Sequence, residues 1–428
     1  MTAFVPALSR REFLTFSLQS VTAFVTGTLL APFRSVFAGK KPPVPACVCS
    51  LASTENVSER IVAWYDEKRL ASSRLLWHAG GEAEMKSVPA EETRVEIEDH
   101  TVFVYRAVMR GLAPGRRYEF TVECEGKRGA LQTFSVDDGG AFKMLVFPDS
   151  QSVDGYTVWD RVARDASERF PDAALWVNMG DLTDNGESWH QWRDWFHVFA
   201  PYIGGRLFVP IMGNHECYSL EWTMCLPRVF RALFPGPENG SEFYKGYYWS
   251  FDYGPVHFTV VNTQREEIDT LCPGLFDEQA AWLRRDLSET KKPWRVVLMH
   301  RDLVDYDAQP PRRDPISETL VPVFEEAGVD AVLTAHVHAY RRRLLKDWKR
   351  DSRGVLYIAT GNAGNCYYEL PPHEIDDVKL PDNANNYLVL EADERKLSFR
   401  CFLENGVEKD SATLYKLRRT QPAEESEA

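Results

Sequence analysis

The 428-residue chain has no surplus of positive charge: 50 Lys and Arg stand against 63 Asp and Glu, a formal net charge of −13. Proteins that hold nucleic acid by its phosphate backbone need the reverse balance, so no nucleic-acid partner is expected. A nonspecific nuclease is disfavoured further because there is no basic, aromatic-lined groove in the pattern. Beyond residue 40 no run approaches the ~20 apolar residues that span a bilayer, so no membrane contact is expected of the mature chain. The eight cysteines fall at irregular intervals with no C-x-x-C, which removes the usual thiolate metal and redox patterns. Cys47-x-Cys49 is too little to make a metal site. Cys217 and Cys225 share one predicted loop and are candidates for pairing, though connectivity is not readable from spacing. There is no internal repeat, which excludes a solenoid. What is present is 44% hydrophobic and 12% aromatic side chains, enough for sizeable cores in two or three domains.

The first 38 residues read as an address. Ser9-Arg10-Arg11-Glu12-Phe13-Leu14 opens an apolar run to Phe33, and Val36-Phe37-Ala38 forms a small-residue cleavage site before Gly39. The paired arginines resemble the twin-arginine export signal. That resemblance implies passage through the Tat export machinery in the folded state, to a bacterial periplasm or beyond it as a secreted protein. At the other end, the acidic segment 420–428 reads as a disordered tail.

Residues 44–136 show period-two alternation in short segments, among them Arg60-Ile-Val-Ala-Trp-Tyr65 and Tyr118-Glu-Phe-Thr-Val122. This predicts an all-β sandwich with Trp64 in its core. Gly111-Leu-Ala-Pro-Gly-Arg-Arg-Tyr118 resembles the turn before the tyrosine corner of fibronectin type III domains. From 142 to 415 the pattern changes to short apolar runs alternating with amphipathic stretches, which predicts an α/β layer structure with strands buried on both faces. Val355–Ala359, Tyr387–Glu391 and Leu397–Phe402 add late strands without intervening helices, closing the sheet or starting a second one.

The chemistry-bearing residues fall at strand ends. Asp149 follows Met144–Phe147, Asp181 follows Leu175–Met179, and Asn214-His215 follow Phe208–Met212. His300 follows Val296–Met299, and His336 and His338 follow Ala331–Ala335. Sites in open α/β sheets gather outside the carboxyl ends of the strands. Two Asp, one Asn and four His would therefore converge on one crevice, and such a mix of imidazole and carboxylate suits Fe, Mn or Zn.

These segments, Gly-Asp-Leu-Thr-Asp (180–184), Gly-Asn-His-Glu (213–216), Val-Val-Leu-Met-His (296–300) and Ala-His-Val-His-Ala-Tyr (335–340), resemble the calcineurin-like metallophosphoesterases. The run Ser250-Phe-Asp-Tyr-Gly-Pro-Val-His-Phe258 and the preceding sandwich are similar to their purple acid phosphatase branch. The resemblance implies the α+β sandwich of that superfamily and two divalent or trivalent metal ions. Asp149 and His338 would hold the first, Asn214, His300 and His336 the second, and Asp181 would bridge them. It implies hydrolysis of small-molecule phosphate monoesters by a metal-bound hydroxide, with His215 protonating the leaving oxygen. A phosphodiesterase or nucleotide hydrolase on the same site is the alternative, and a non-catalytic metal-stabilised binding protein is the rival from another class.

The sequence departs from the purple pattern in three places. Asp184 stands where those enzymes carry a tyrosine ligand, which predicts no purple absorption and leaves Asp184 as a replacement ligand or a plain loop carboxylate. Gln151 occupies a position where many relatives place a ligand histidine, and its amide oxygen is a candidate ligand for the first metal. The downstream histidines are replaced by Gln309-Pro310-Pro311-Arg312-Arg313, so Arg312, Arg313 or Arg301 are candidates to grip phosphate oxygens, and His190 is a candidate at the mouth of the site. His257, in mid-strand, reads as a core histidine.

Overall fold

A computed structural model describes residues 49–416, except positions 55, 99, 153, 154, 307, 309, 365 and 382. The leader expected over 1–38, Cys47 and the tail expected over 420–428 lie outside the described residues. No described helix is long and apolar enough to cross a membrane.

Two large sheets face one another, with helices on their outer sides. The first has ten strands. At its centre Phe142–Phe147, Leu175–Asn178 and Leu207–Pro210 run parallel, and Asn386–Ala392, Lys396–Leu403 and Glu408–Tyr415 extend one side antiparallel. The second sheet is built on parallel Val256–Val261, Trp294–Met299, Ala331–Thr334 and Val355–Thr360, with Trp249–Tyr253 and Tyr340–Lys346 antiparallel. The late strands thus divide between the sheets: Val355–Thr360 joins the second, and the hairpin that follows joins the first.

Alternation in each strand explains the layering. Met144 and Val146 join Val296 and Leu298 in the core between the sheets. Leu145 and Phe147 point outward into the core under the helices, where the Phe147 ring meets Trp159 edge to face at 5.0 Å. Helix Trp189–Ile203 buries Trp192, Trp195, Phe196, Phe199 and Ile203, the three- and four-residue spacing of one helical face. Its Trp195 indole donates to Ser150 Oγ at 3.0 Å, which ties the helix to the loop after Phe142–Phe147.

The N-terminal strands form a sandwich. Ser73–Ala79 and Arg117–Cys124 pair in one layer. Trp64 is buried and stacks on Tyr105 at 6.2 Å. The Tyr118 hydroxyl accepts from the Ala113 N–H at 2.9 Å, closing the tyrosine corner. The other layer does not end at its own edge. Cys49–Ser53 pairs in parallel with Leu207–Pro210, so Glu91–Ile97, His100–Arg110, Glu59–Asp66 and Cys49–Ser53 continue the ten-stranded sheet.

Candidate metal centre

Five parallel strands of the two sheets, Phe142–Phe147, Leu175–Asn178, Leu207–Pro210, Trp294–Met299 and Ala331–Thr334, are followed by turns that converge. Asp149, Asp181, Asn214, His300 and His338 are all buried. Two groups of donor atoms form, each within 4.8 Å: Asp149, Asp181 and His338 in one, and Asp181, His300 and His336 in the other. Asp181 is common to both. Asp181, His336 and His338 hold left-handed backbones, with φ of 50°, 68° and 49°. Non-glycine residues in this region are uncommon and gather at functional sites. The approach of the loops is close enough to require glycine beside them. A Cβ on Gly180 would collide with the His300 ring, and one on Gly213 with the Asp181 carboxylate.

Hydrogen bonds fix which atom of each ligand faces inward. His300 Nδ1 lies 2.8 Å from the Met179 carbonyl, which only accepts, so Nδ1 carries the proton. His300 Nε2 is left facing Asn214 Oδ1 at 3.2 Å and Asp181 Oδ2 at 3.3 Å. His338 Nδ1 meets the Cys366 carbonyl at 2.9 Å in the same way, which turns its Nε2 toward Asp149 Oδ1 at 3.7 Å. The His336 N–H donates to Asp149 Oδ2 at 3.0 Å, and its ring packs against His300 at 5.1 Å. This backbone-anchored imidazole is the usual arrangement of a metal ligand.

Gln151 joins the first group. Its Nε2 lies 3.3 Å from Asp181 Oδ2 and 3.4 Å from His338 Nε2, while its Oε1 is buried without a partner. An amide turned over about its last bond would present Oε1 to those atoms instead, an array of acceptors that a cation reconciles. Donors held ~2.1 Å from one ion stand about 3.0–3.4 Å apart, close to these separations. Asn214 Nδ2 is likewise buried without a partner. The residues present therefore fit two ions sharing Asp181.

The electrostatics agree. Burial and the neighbouring Asp181 charge push the Asp149 carboxyl far above its ordinary range. Burial also acts against Asp181, but His300 and His215 hold it well below that range. His300 is pulled up to about 9, since Asp181 and Asp149 outweigh its burial, whereas burial pushes His338 down to about 4. Such opposed shifts among packed ionisable groups gather at functional sites.

His215 sits at the rim, with 15% of its side chain exposed. Its N–H donates to Asp181 Oδ1 at 2.9 Å, and Nδ1 meets the Asp184 carbonyl at 2.6 Å. The opposite nitrogen, Nε2, lies 3.9 Å from Asp181 Oδ2. The Asp184 carboxylate is absent from both donor groups; its residue anchors His215 through the backbone.

The substrate-contact candidates each have partners of their own. Arg312 and Arg313 are exposed; Arg312 pairs with Asp305 at 3.2 Å and Arg313 lies 4.4 Å over the Trp348 ring. Arg312 thus pairs within its own hairpin, and Arg313 with a neighbouring turn. Arg301 is buried between Glu266 at 3.1 Å and Glu267 at 2.7 Å. His190 is exposed on the first turn of its helix, beside Ser188 Oγ at 3.3 Å. Cys217 and Cys225 are free thiols, joined instead through the backbone, the Cys225 N–H donating to the Cys217 carbonyl at 2.9 Å. His257 is a buried strand residue between Asp252 at 2.7 Å and Asp286 at 3.0 Å.

Three contributors were missed by the sequence reading. Glu216 accepts from Gly213, Leu182 and Asp181 N–H groups at 2.7, 2.8 and 3.0 Å, tying two ligand loops together. Gly361-Asn-Ala-Gly364 follows Val355–Thr360, and the Ala363 N–H donates to the Asp149 carbonyl at 2.8 Å; a sixth polar strand end was the available signal. Tyr368 stacks on His338 at 4.6 Å, which nothing in its local sequence announces.

With this geometry in hand, comparison with known proteins is specific. The family profile described as calcineurin-like phosphoesterase matches residues 142–340, and that described as purple acid phosphatase, N-terminal domain, matches residues 48–137. Among curated relatives, purple acid phosphatase 18 of Arabidopsis thaliana is 26% identical over 49% of this chain and 48% of its own length. Purple acid phosphatase 22 of the same plant is 29% identical over 49% of each. The chain spans about half the length of these two relatives. A purple acid phosphatase from yellow lupin (Lupinus luteus) seeds superposes with a TM-score of 0.73 at 18% identity, over 87% of this chain and 74% of that one. PhoD superposes at 0.62 and 12% identity, over 86% and 90%. At these identities the superpositions speak for the fold.

Proposed function

Since the chain carries a calcineurin-like phosphoesterase domain behind a purple acid phosphatase N-terminal domain, we propose that it is a metal-dependent phosphoric ester hydrolase acting on small-molecule phosphate monoesters. The observation that carries this reading is the sharing of Asp181 by two separate donor groups. Asp149, Asp181, His338 and Gln151 would hold one ion, and Asp181, Asn214, His300 and His336 the other. The nitrogen and oxygen donors, with no thiolate among them, suit Fe, Mn or Zn. When bound, such a pair supplies Lewis acidity toward the phosphoryl oxygens and toward water.

The chain's own residues do the rest. Asp181, buried and ionised, keeps both donor groups at one spacing. His300 and His338, locked by carbonyls at Nδ1, present Nε2 without rotating. His215 is held at Nδ1 by the Asp184 carbonyl, which leaves Nε2 facing the centre, 3.9 Å from Asp181 Oδ2, where a proton on it would pass to the departing oxygen.

A para-nitrophenyl phosphate assay run beside the bis-ester on metal-loaded protein tests the reading. Faster turnover of the monoester is expected; preference for the bis-ester would overturn the monoester assignment in favour of a phosphodiesterase. Full metal content with neither ester cleaved would favour the non-catalytic binding protein. We also propose export in the folded state by the twin-arginine route to a bacterial periplasm, on the strength of Arg10-Arg11 and the apolar run behind them. Arg10→Lys with Arg11→Lys should strand the chain in the cytoplasm, and unchanged fractionation would refute the route.

A further inference from the structure

Beside His215 the chain builds something the hydrolytic reading does not use. Residues 217–225 form a tight hairpin in which Tyr218 bridges Met224. The Trp222 ring stands perpendicular to His215 at 6.0 Å and the Tyr218 ring perpendicular at 5.8 Å, with 5.9 Å between the two aromatics. Trp222 is 39% exposed, so the indole keeps an open surface at the rim where His215 also emerges.

The hairpin is held rigidly. Trp222 adopts φ 61°, an outlying conformation for so bulky a residue that persists only where the surroundings impose it. Here Ser219 Oγ and Thr223 Oγ1 lie 2.7 Å apart, the Ser219 N–H donates to the Thr223 carbonyl at 2.8 Å, and the Trp222 N–H to the Ser219 carbonyl at 2.9 Å. Glu98 of the N-terminal sandwich accepts the Leu220 N–H at 2.8 Å, and the Tyr218 hydroxyl donates to Glu267 at 3.3 Å. Leu220 and Met224, on the same hairpin, are also exposed, at 36% and 54%. The result is a fixed, apolar, aromatic surface beside the group proposed to protonate the leaving oxygen.

We propose that Trp222, supported by Tyr218, is a specificity-determining wall for the leaving group, and that the centre selects esters in which a flat aromatic ring is borne on the leaving oxygen. This rests on the phosphoesterase reading above. A ring attached directly to an oxygen within hydrogen-bonding reach of His215 would lie within stacking range of Trp222, and aromatic stacking is tolerant of ring identity but not of its absence.

The test compares parent, Trp222→Ala and Trp222→Phe, each metal-loaded, in two measurements. In the first, kcat/KM is measured for phenyl phosphate and glycerol 1-phosphate. In Trp222→Ala the aryl-to-alkyl ratio should fall about 5- to 100-fold, the range of a lost stacking contact, mainly through KM, with Trp222→Phe restoring most of it. In the second, calorimetry follows binding of phenylphosphonate and methylphosphonate, which cannot be hydrolysed; the parent should prefer the phenyl ligand and Trp222→Ala should lose that preference. An unchanged ratio, or equal binding of both phosphonates by the parent while esters are cleaved, would overturn the wall and leave the hydrolase standing. A phenyl preference dependent on Trp222 in a protein that cleaves no ester would overturn the hydrolase and leave the aromatic subsite.

Discussion

Glu216→Gln is the sharpest perturbation of the centre, because it changes one atom at the point where two ligand loops meet. The carboxylate Oε2 accepts the Gly213 and Asp181 N–H groups at 2.7 and 3.0 Å, and Oε1 accepts Leu182 at 2.8 Å. An amide retains only one oxygen. With that oxygen at the doubly bonded corner, its NH2 faces the Leu182 N–H donor to donor, and a buried N–H is left without an acceptor. The loss is about 1–3 kcal/mol. Asp181 and Asn214 reach their positions only when these loops are ordered, so the penalty falls on ion affinity, a weakening of roughly 5- to 150-fold. Parent and variant would be loaded with the same ion and dialysed against graded chelator, with ion content read by elemental analysis and folding by circular dichroism. Superimposable retention curves would refute the idea that Glu216 positions the ligands. A variant that fails to fold even with ion present would show the tie to be structural for the whole fold.

Other outcomes follow from the same geometry. His215→Ala should lower kcat by about 100- to 10,000-fold, the ordinary contribution of a general acid, with both ions retained on elemental analysis. Burial pushes the His257 imidazole down, but its bonds to Asp252 and Asp286 prevail and carry it up to about 9. Its contribution is therefore complete below about pH 6.5 and is lost as pH rises through 9, roughly 3 kcal/mol in all; thermal unfolding of the parent and His257→Gln should converge across that window. Gly213→Ala should abolish ion binding, because its Cβ meets the Asp181 carboxylate, and stoichiometric ion content in that variant would contradict the close packing of the loops. Because Asp184 stands at the tyrosine position and turns its carbonyl to His215, the iron-loaded protein should show no visible charge-transfer band, read directly by absorption spectroscopy.

Strand ends were the legible part of the site because burial on both faces makes such strands largely apolar, and the ligand-type residues fall within a few positions of where each apolar run ends. Asp149, Asp181, Asn214, His300, His336 and His338 share that signature, and the structure brings all six together. Arg312 and Arg313 were named for their guanidinium chemistry at the place of the missing histidines, and His190 for a place at the mouth of the site, none of which fixes where a side chain points. Charge on a loop finds whichever partner is nearest in space, here Asp305 and the Trp348 face for the two arginines. Glu216 closes the Gly-Asn-His-Glu motif, but its role was hidden, because accepting three backbone N–H groups leaves no mark in sequence. The sandwich and the layered domain were visible in the shift from alternating to continuous apolar strands. The pairing of Cys49–Ser53 with Leu207–Pro210 was not, since register between segments some 150 positions apart is decided by packing and leaves no local trace.

That pairing has a consequence for how the protein can be taken apart. Strand Leu207–Pro210 would become an open edge, its hydrogen-bonding groups bare on one side, if the first ninety described residues were cut away, and bare edges recruit other chains. The two regions distinguished by sequence pattern, 44–136 and 142–415, therefore share one mechanical element. Excision of the trailing region should yield aggregates rather than a smaller hydrolase.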